Sequence, residues 1–157
     1  MKTNNNGYGY LTRLKANQPF SNRLNAFIET RAAGLKYNAG NFPEMDFPDF
    51  KKLTEETGYM QISNENCEGT IFGNPEVNVM FRAWHDSIHI QLNEDFGYMA
   101  EARVAFAQCA ELPNDWHFER QLILCEVIAQ AAHHEKTGNF VADQRKFTIE
   151  VLTSGKI

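Results

Sequence analysis

Long hydrophobic runs are missing from this 157-residue chain. No stretch approaches the roughly 20 consecutive apolar residues that a membrane-spanning helix needs, so no membrane span is expected. An apolar signal core is missing too, because Met1-Lys2-Thr3 runs straight into an Asn triplet and Gly-Tyr-Gly-Tyr, and a cytoplasmic location is the expectation. Cysteine is scarce. Cys67, Cys109 and Cys125 are widely spaced and form no C-x-x-C pair, which excludes a zinc ribbon and a thioredoxin-like redox motif. Cys109 and Cys125 fall within apolar helical patterns and read as small buried hydrophobes. No internal repeat is visible. Aromatic residues are not lacking: twelve Phe, five Tyr and two Trp supply enough apolar surface to exclude global disorder. Length and composition together imply a single domain with its own core over 1–157.

The net charge of −5 conceals a segregation. Residues 1–40 carry six Lys or Arg against one acid, Glu29, whereas residues 41–157 carry nine basic and nineteen acidic side chains. All five histidines (His85, His89, His117, His133 and His134) lie in the acidic part.

Residues 1–18 show no periodicity and read as an irregular N-terminal arm. Residues 19–74 read as short elements and loops. Ser21 is placed to cap a helix through Leu24, Phe27 and Ile28. Gly34, Gly40, Pro43 and Pro48 punctuate a loop, and Asp49–Thr57 predicts a short helix stopped by Gly58. Tyr59–Ile62 and Thr70–Phe72 predict one small β-hairpin. From Pro75 the pattern becomes that of long helices. Val77, Met80, Phe81, Trp84, Ile88 and Leu92 follow one helical face. Asn93 is placed to cap a second helix ending at Pro113, and Asn114 a third over Asp115–Thr137. A fourth is predicted from about Val141 to Leu152. Short connections favour antiparallel neighbours, so the fold class expected is mainly α, with a compact antiparallel helical bundle over 75–154.

Polar residues inside these helices carry the chemistry. His85 and His89 are one turn apart and project from one side, a spacing at which two imidazoles can hold one metal ion. The text His85-Asp-Ser-Ile-His89 has Asp86 where a zinc protease of the H-E-x-x-H type has glutamate, one methylene longer, so protease chemistry is disfavoured. In the third helix Glu119, Glu126 and His133 repeat at sevens along an otherwise apolar segment. A carboxylate in such surroundings needs a partner, and for Glu126 that is a metal or, in a purely structural role, Arg82, Arg103 or Arg120. Glu94, Glu101 and Gln108 repeat at sevens in the second helix. The converging set is therefore His85, His89, Glu126 and His133 as metal ligands, with Asp86 and Glu101 as catalytic candidates. Imidazole and carboxylate ligands together suit a divalent metal: Fe, Mn or Zn. Glu119, Glu94, His117 and His134 read as surface residues. Di-iron carboxylate chemistry is disfavoured because neither Glu101 nor Glu126 is followed by His three residues on. A His-Asp phosphohydrolase site lacks the upstream histidine it requires.

The segment Asn78-Val-Met-Phe-Arg-Ala-Trp-His-Asp-Ser-Ile-His89 resembles a stretch in a poorly characterised group of phage-associated proteins, which carry Phe-Arg-Ala-x-His-Asp, a second His, and a downstream helix with Glu and His. An aromatic-glycine pair often precedes their second His, and Ser87-Ile88 departs from it. The resemblance implies a viral accessory context, host cytoplasm as the compartment, and a shared role for His85, Asp86 and His89.

The residues point to a small metal-dependent enzyme acting on a small-molecule substrate, by water activation or by non-haem iron oxidation. The alternative is a non-enzymatic accessory protein that binds nucleic acid or a host protein through the basic arm, where Tyr8, Tyr10 and Phe20 offer stacking surfaces.

Overall fold

The computed structural model describes residues 7–157. The chain is mainly helical, and it opens with a single 3-10 turn at Leu11–Arg13. α1 (Asn22–Ala32), β1 (Tyr37–Gly40), α2 (Phe47–Thr57) and β2 (Met60–Ser63) follow. Next come α3 (Pro75–Leu92), α4 (Tyr98–Glu111), α5 (His117–Leu124), a π-helical turn (Cys125–Ala129), α6 (Gln130–Thr137) and α7 (Gln144–Ser154). Among the described residues no helix is long and apolar enough to cross a membrane.

Local signals set most helix ends. The Ser21 hydroxyl accepts from the Leu24 N–H, Asp46 from Asp49 and Asn74 from Glu76, and Pro75 occupies a first-turn position where no N–H is needed. α2 starts two residues before the sequence-based boundary because Asp46 caps it, and it stops at Gly58 in the left-handed conformation.

Three expectations are corrected. Tyr59–Ile62 and Thr70–Phe72 do not form a hairpin: β2 pairs in parallel with β1, Tyr37 opposite Met60 through Gly40 opposite Ser63. A parallel pair needs a crossover, which α2 supplies. Its first strand reads Tyr-Asn-Ala-Gly, a poor strand former, and so looked like loop. Thr70, Ile71 and Phe72 are buried as irregular chain, with the Ile71 carbonyl accepting from the Phe20 N–H at 2.9 Å. Asn93 does not cap a new helix; it ends α3 in the left-handed region (φ 53°, ψ 45°), and α4 begins only at Tyr98. The third long helix starts at His117, not at Asp115, and the π turn interrupts it.

α3 organises the interior. Val77, Phe81, Trp84 and Ile88 on one face enter the larger core, which also takes Leu24 and Ile28 of α1, Val104 and Ala105 of α4, and Leu122 and Ile123 of α5. A second face, Val79 and Ala83, closes a smaller core with Phe47 and Phe50 of α2, Met60 and Ile62 of β2, and Cys67. A third stripe, Asn78, Arg82, His85 and His89, belongs to neither core.

Within the described residues the arm lies on the body. Leu11 is buried in the larger core, Tyr8 stacks on Phe118, and the Tyr8 hydroxyl donates to Gln121 Oε1 at 2.7 Å. Tyr10 meets Phe118 edge-on, and Phe20 is buried beneath the Arg145 guanidinium. The aromatic rings considered for base stacking thus have partners inside the fold. Residues 1–6 of the expected arm lie outside the described residues. Glu119, expected at the surface, is only 3% exposed. It accepts a two-point contact from Arg23 at 2.6 and 2.8 Å and a hydrogen bond from the Ser21 hydroxyl at 2.8 Å, which joins α1 to α5.

The arm's docking depends on Gly73. Its φ of +66° disfavours any side chain, and a Cβ there would lie 2.5 Å from the Gln18 carbonyl carbon. Gly73→Ala is expected to cost about 1–3 kcal/mol and to lift the arm, since backbone strain and a backbone clash coincide. A lower melting temperature, together with faster proteolysis within residues 7–20, checks this.

Candidate metal centre

His85 and His89 occupy successive turns of the third stripe of α3, and their rings meet edge to face at 4.7 Å between centroids. Their Nε2 atoms are 3.0 Å apart. His89 is fully buried, enclosed by Phe47 and Phe96, while the His85 side chain keeps 13% exposure towards a cavity.

Each ring is anchored by its other nitrogen. The backbone carbonyl of Glu94 lies 3.1 Å from His89 Nδ1, and because a carbonyl can only accept, Nδ1 carries the proton and Nε2 presents a lone pair. The left-handed turn at Asn93 brings that carbonyl back over the helix end. His85 Nδ1 lies 2.8 Å from Oε1 of the buried Gln108, which accepts from Nδ1–H. Without a cation its Nε2 also carries a proton, donated to the ionised Glu101, and a cation would take that proton's place. Orientation of two imidazoles through Nδ1–H, with Nε2 left to converge, is the support that metal-ligating histidines ordinarily have.

Two carboxylates complete the group. Glu101 of α4 places Oε2 2.8 Å from His85 Nε2 and Oε1 3.4 Å from His89 Nε2. Asp86 offers an oxygen such that its donor atom and those of His85 and His89 all lie within 4.8 Å of one another, a grouping that can hold a metal ion. Ligand atoms bonded at about 2.0–2.2 Å lie roughly 3–3.5 Å apart around an ion, so the spacing of the two imidazoles and Glu101 is already that of adjacent ligands.

The charge states follow from burial and neighbours. For Glu101 desolvation opposes ionisation, but hydrogen bonds and charge from the two histidines win and hold its carboxyl near 2. Burial works against protonation of His85, and the Glu101 hydrogen bond and charge outweigh it, so its pKa is raised. Asp86 is pushed up to about 6 by desolvation, which His85 and His89 only partly offset.

Other expected site residues are placed differently. Glu126 reaches the same cavity, but its hydrogen-bond partner is Gln130 Nε2 at 2.9 Å, and it is not part of the His-Asp-His group. None of the arginines suggested as its partner pairs with it. Arg103 binds Glu94, Arg120 donates to the Leu112 and Asn114 carbonyls, and Arg82 donates to the carbonyls of Ser63, Glu65 and Asn66. Burial pushes the Glu126 carboxyl up to about 8, against the weaker pull of Arg82, Gln130 and His85. His133 is not among the residues lining the cavity; its ring packs edge-on against Phe147 of α7 at 5.4 Å. The cause is the π turn. It inserts an extra residue, and each residue rotates a helix by about 100°, so Glu126 and His133 lose the common face that a seven-residue spacing gives in an uninterrupted helix.

Sequence reasoning noted Gln108 in the Glu94–Glu101–Gln108 series without giving it a role, and it missed the Glu94 carbonyl. Backbone groups leave no trace in residue identity. The heptad in α4 was the available signal, and it points at α3.

The cavity beside the centre has a volume of about 460 Å³ and opens to solvent between α3, the π turn, the segment 42–45 and the loop carrying Phe140. The chain matches no protein-family model, no curated protein and no solved structure.

The high pKa of Glu126 has a sign. Its ordinary value is 4.5, so between that and about 8 the folded state holds a proton that the unfolded state has lost. Stability therefore falls as pH rises through this window, by on the order of 5 kcal/mol, and levels off above it. Glu126→Gln is expected to melt at a higher temperature than wild type at pH 8.5, with the difference vanishing near pH 4.5. Thermal unfolding of both proteins in chelator across that range checks this.

Proposed function

We propose that the protein is a metal-dependent enzyme that activates water for hydrolysis, with one divalent cation (Zn, Mn or Fe) held by His85, His89 and a carboxylate. The observation that carries this reading is the convergence of two Nε2 atoms at 3.0 Å, each ring tethered through Nδ1 to an oxygen acceptor. Without a cation, a proton on His85 Nε2 faces Glu101 and the His89 lone pair; a divalent cation in its place satisfies all three groups at once. Glu101 is the third ligand by proximity, its oxygens lying 2.8 and 3.4 Å from the two nitrogens.

The cation supplies Lewis acidity to an oxygen in the cavity. The protein supplies the rest. Asp86, grouped with the two histidines and lining the cavity, is placed to accept a proton there. Glu126 on the π turn, with its carboxyl near 8, is protonated at neutral pH and can donate. A carboxylate beside the cation and a protonated carboxyl in the same cavity form an acid–base pair, and that pair favours hydrolysis over iron-dependent oxidation. Phe81 stacks against His85 and Phe96 meets His89 edge-on, shielding the ligands from bulk water.

Purified protein is expected to bind one equivalent of Zn, Mn or Fe(II) by isothermal titration and elemental analysis. His85→Ala and His89→Ala should abolish binding. Gln108→Leu, which frees the His85 ring, should weaken it about 10–100-fold, and His133→Ala should change nothing. Wild type that takes up no stoichiometric metal would end this reading.

A further inference from the structure

Three features of the cavity bear on what it accepts. The first is Asn78. It is 1% exposed and lines the cavity, yet its side-chain Nδ2 has no hydrogen-bond partner. A buried amide donor left unpaired costs about 1–3 kcal/mol, and an acceptor brought in by a ligand removes that cost. Asn78 lies on the same stripe of α3 as His85, seven residues earlier, or about 10 Å along the axis. A hydrogen bond at one end and a metal–ligand bond at the other leave about 5 Å of that, which a single ring with one substituent spans.

The second feature is aromatic. Phe42, Phe50, Phe81 and Phe96 line the cavity and offer ring faces and edges to a flat molecule. The volume of about 460 Å³ falls within the range of small-molecule sites.

The third is charge. Five carboxyl groups line the cavity (Glu44, Glu65, Asp86, Glu101 and Glu126), and no lysine does. The one arginine there, Arg82, already donates to three backbone carbonyls. A dication at the centre is balanced by Glu101 and Asp86, and the exposed Glu44 and Glu65 still face any approaching anion. A phosphate or carboxylate on the ligand would meet a single arginine, held by backbone carbonyls, against these acidic groups.

We infer that this cavity takes an uncharged, planar, carbonyl-bearing ring compound, its carbonyl oxygen accepting from Asn78 Nδ2 and its ring lying among the phenylalanines, and that it rejects phosphorylated or carboxylated analogues. The inference names a substrate class and rests on reading this cavity as the substrate side of the metal centre.

The test is a set of matched pairs: nicotinamide and nicotinate, uracil and orotate, thymidine and thymidine 5′-monophosphate. Each is titrated by ligand-observed NMR into the full chain, with chelator and again with zinc. The neutral members are expected to bind with millimolar or tighter dissociation constants, and each anionic partner at least tenfold more weakly. Asn78→Leu should weaken the neutral members roughly tenfold while leaving zinc affinity unchanged. Because that variant replaces a buried residue, the wild-type Asn78 side-chain amide signal is followed as well, and it should shift on adding each neutral member. Anions that bind as tightly as their neutral partners, an unmoved Asn78 signal, or no binding by any neutral member would overturn the inference. Zinc affinity is measured separately: its absence with the panel behaving as stated fails the metal reading alone, and its presence with the panel failing overturns this inference alone.

Discussion

An 18-residue helix with bulky apolar groups on two faces and two histidines on a third has to be covered on all three. The stripe Val77, Phe81, Trp84, Ile88 collects α1, α4 and α5, and the stripe Val79, Ala83 collects α2 and β2. The remaining stripe, Asn78, Arg82, His85, His89, carries nitrogen and cannot be closed by apolar side chains without leaving donors unpaired. It is met instead by Glu101 and Gln108 from α4, by the Glu94 carbonyl, and by a cavity. The site is thus the polar third of a helix whose other two-thirds hold the protein together, and substitutions there act on stability and chemistry at once.

Arginine use decides the electrostatics of the cavity. Arg82 donates to the carbonyls of Ser63, Glu65 and Asn66, Arg145 to those of Lys15, Gln18 and Thr70, and Arg120 to those of Leu112 and Asn114. Each guanidinium staples irregular chain that lacks a strand or helix to satisfy it. With Arg82 held by carbonyls, Asp86 and Glu126 keep no ion-pair partner among the described residues, and burial outweighs its charge and drives both towards the neutral form. Glu101 shows the opposite outcome in the same surroundings, because it has the two histidines. The segregation of charge along the chain also finds its meaning here. Two basic residues of the first forty, both in α1, reach acids of the body, Arg23 to Glu119 and Arg31 to Glu111.

The helical class, α1, α3 and the His85–His89 pairing were legible because each rests on local physics: capping side chains, apolar period, and the one-turn spacing that sets two rings on one side of a helix. Glu101 and Gln108 were visible as a seven-residue series, and α4, uninterrupted, delivers them to α3 together. The parallel β1–β2 pair was not legible, since Tyr-Asn-Ala-Gly has no strand signature and the pairing is made by a crossover. Nor was the exclusion of His133, whose spacing from Glu126 holds only in an unbroken α-helix.

The sequence by itself determined most of the helices, and that two imidazoles and nearby carboxylates share the acidic part of the chain, because caps, periodicity and spacing act over a few residues. Only the tertiary structure decided which carboxylates meet the histidines, that a backbone carbonyl and Gln108 fix their tautomers, and that Glu126 faces the same space without joining them. Those outcomes depend on the left-handed turn at Asn93, on one extra residue in a π turn, and on where three arginines find carbonyls. Each is settled by packing between segments far apart in the chain, which no local pattern encodes.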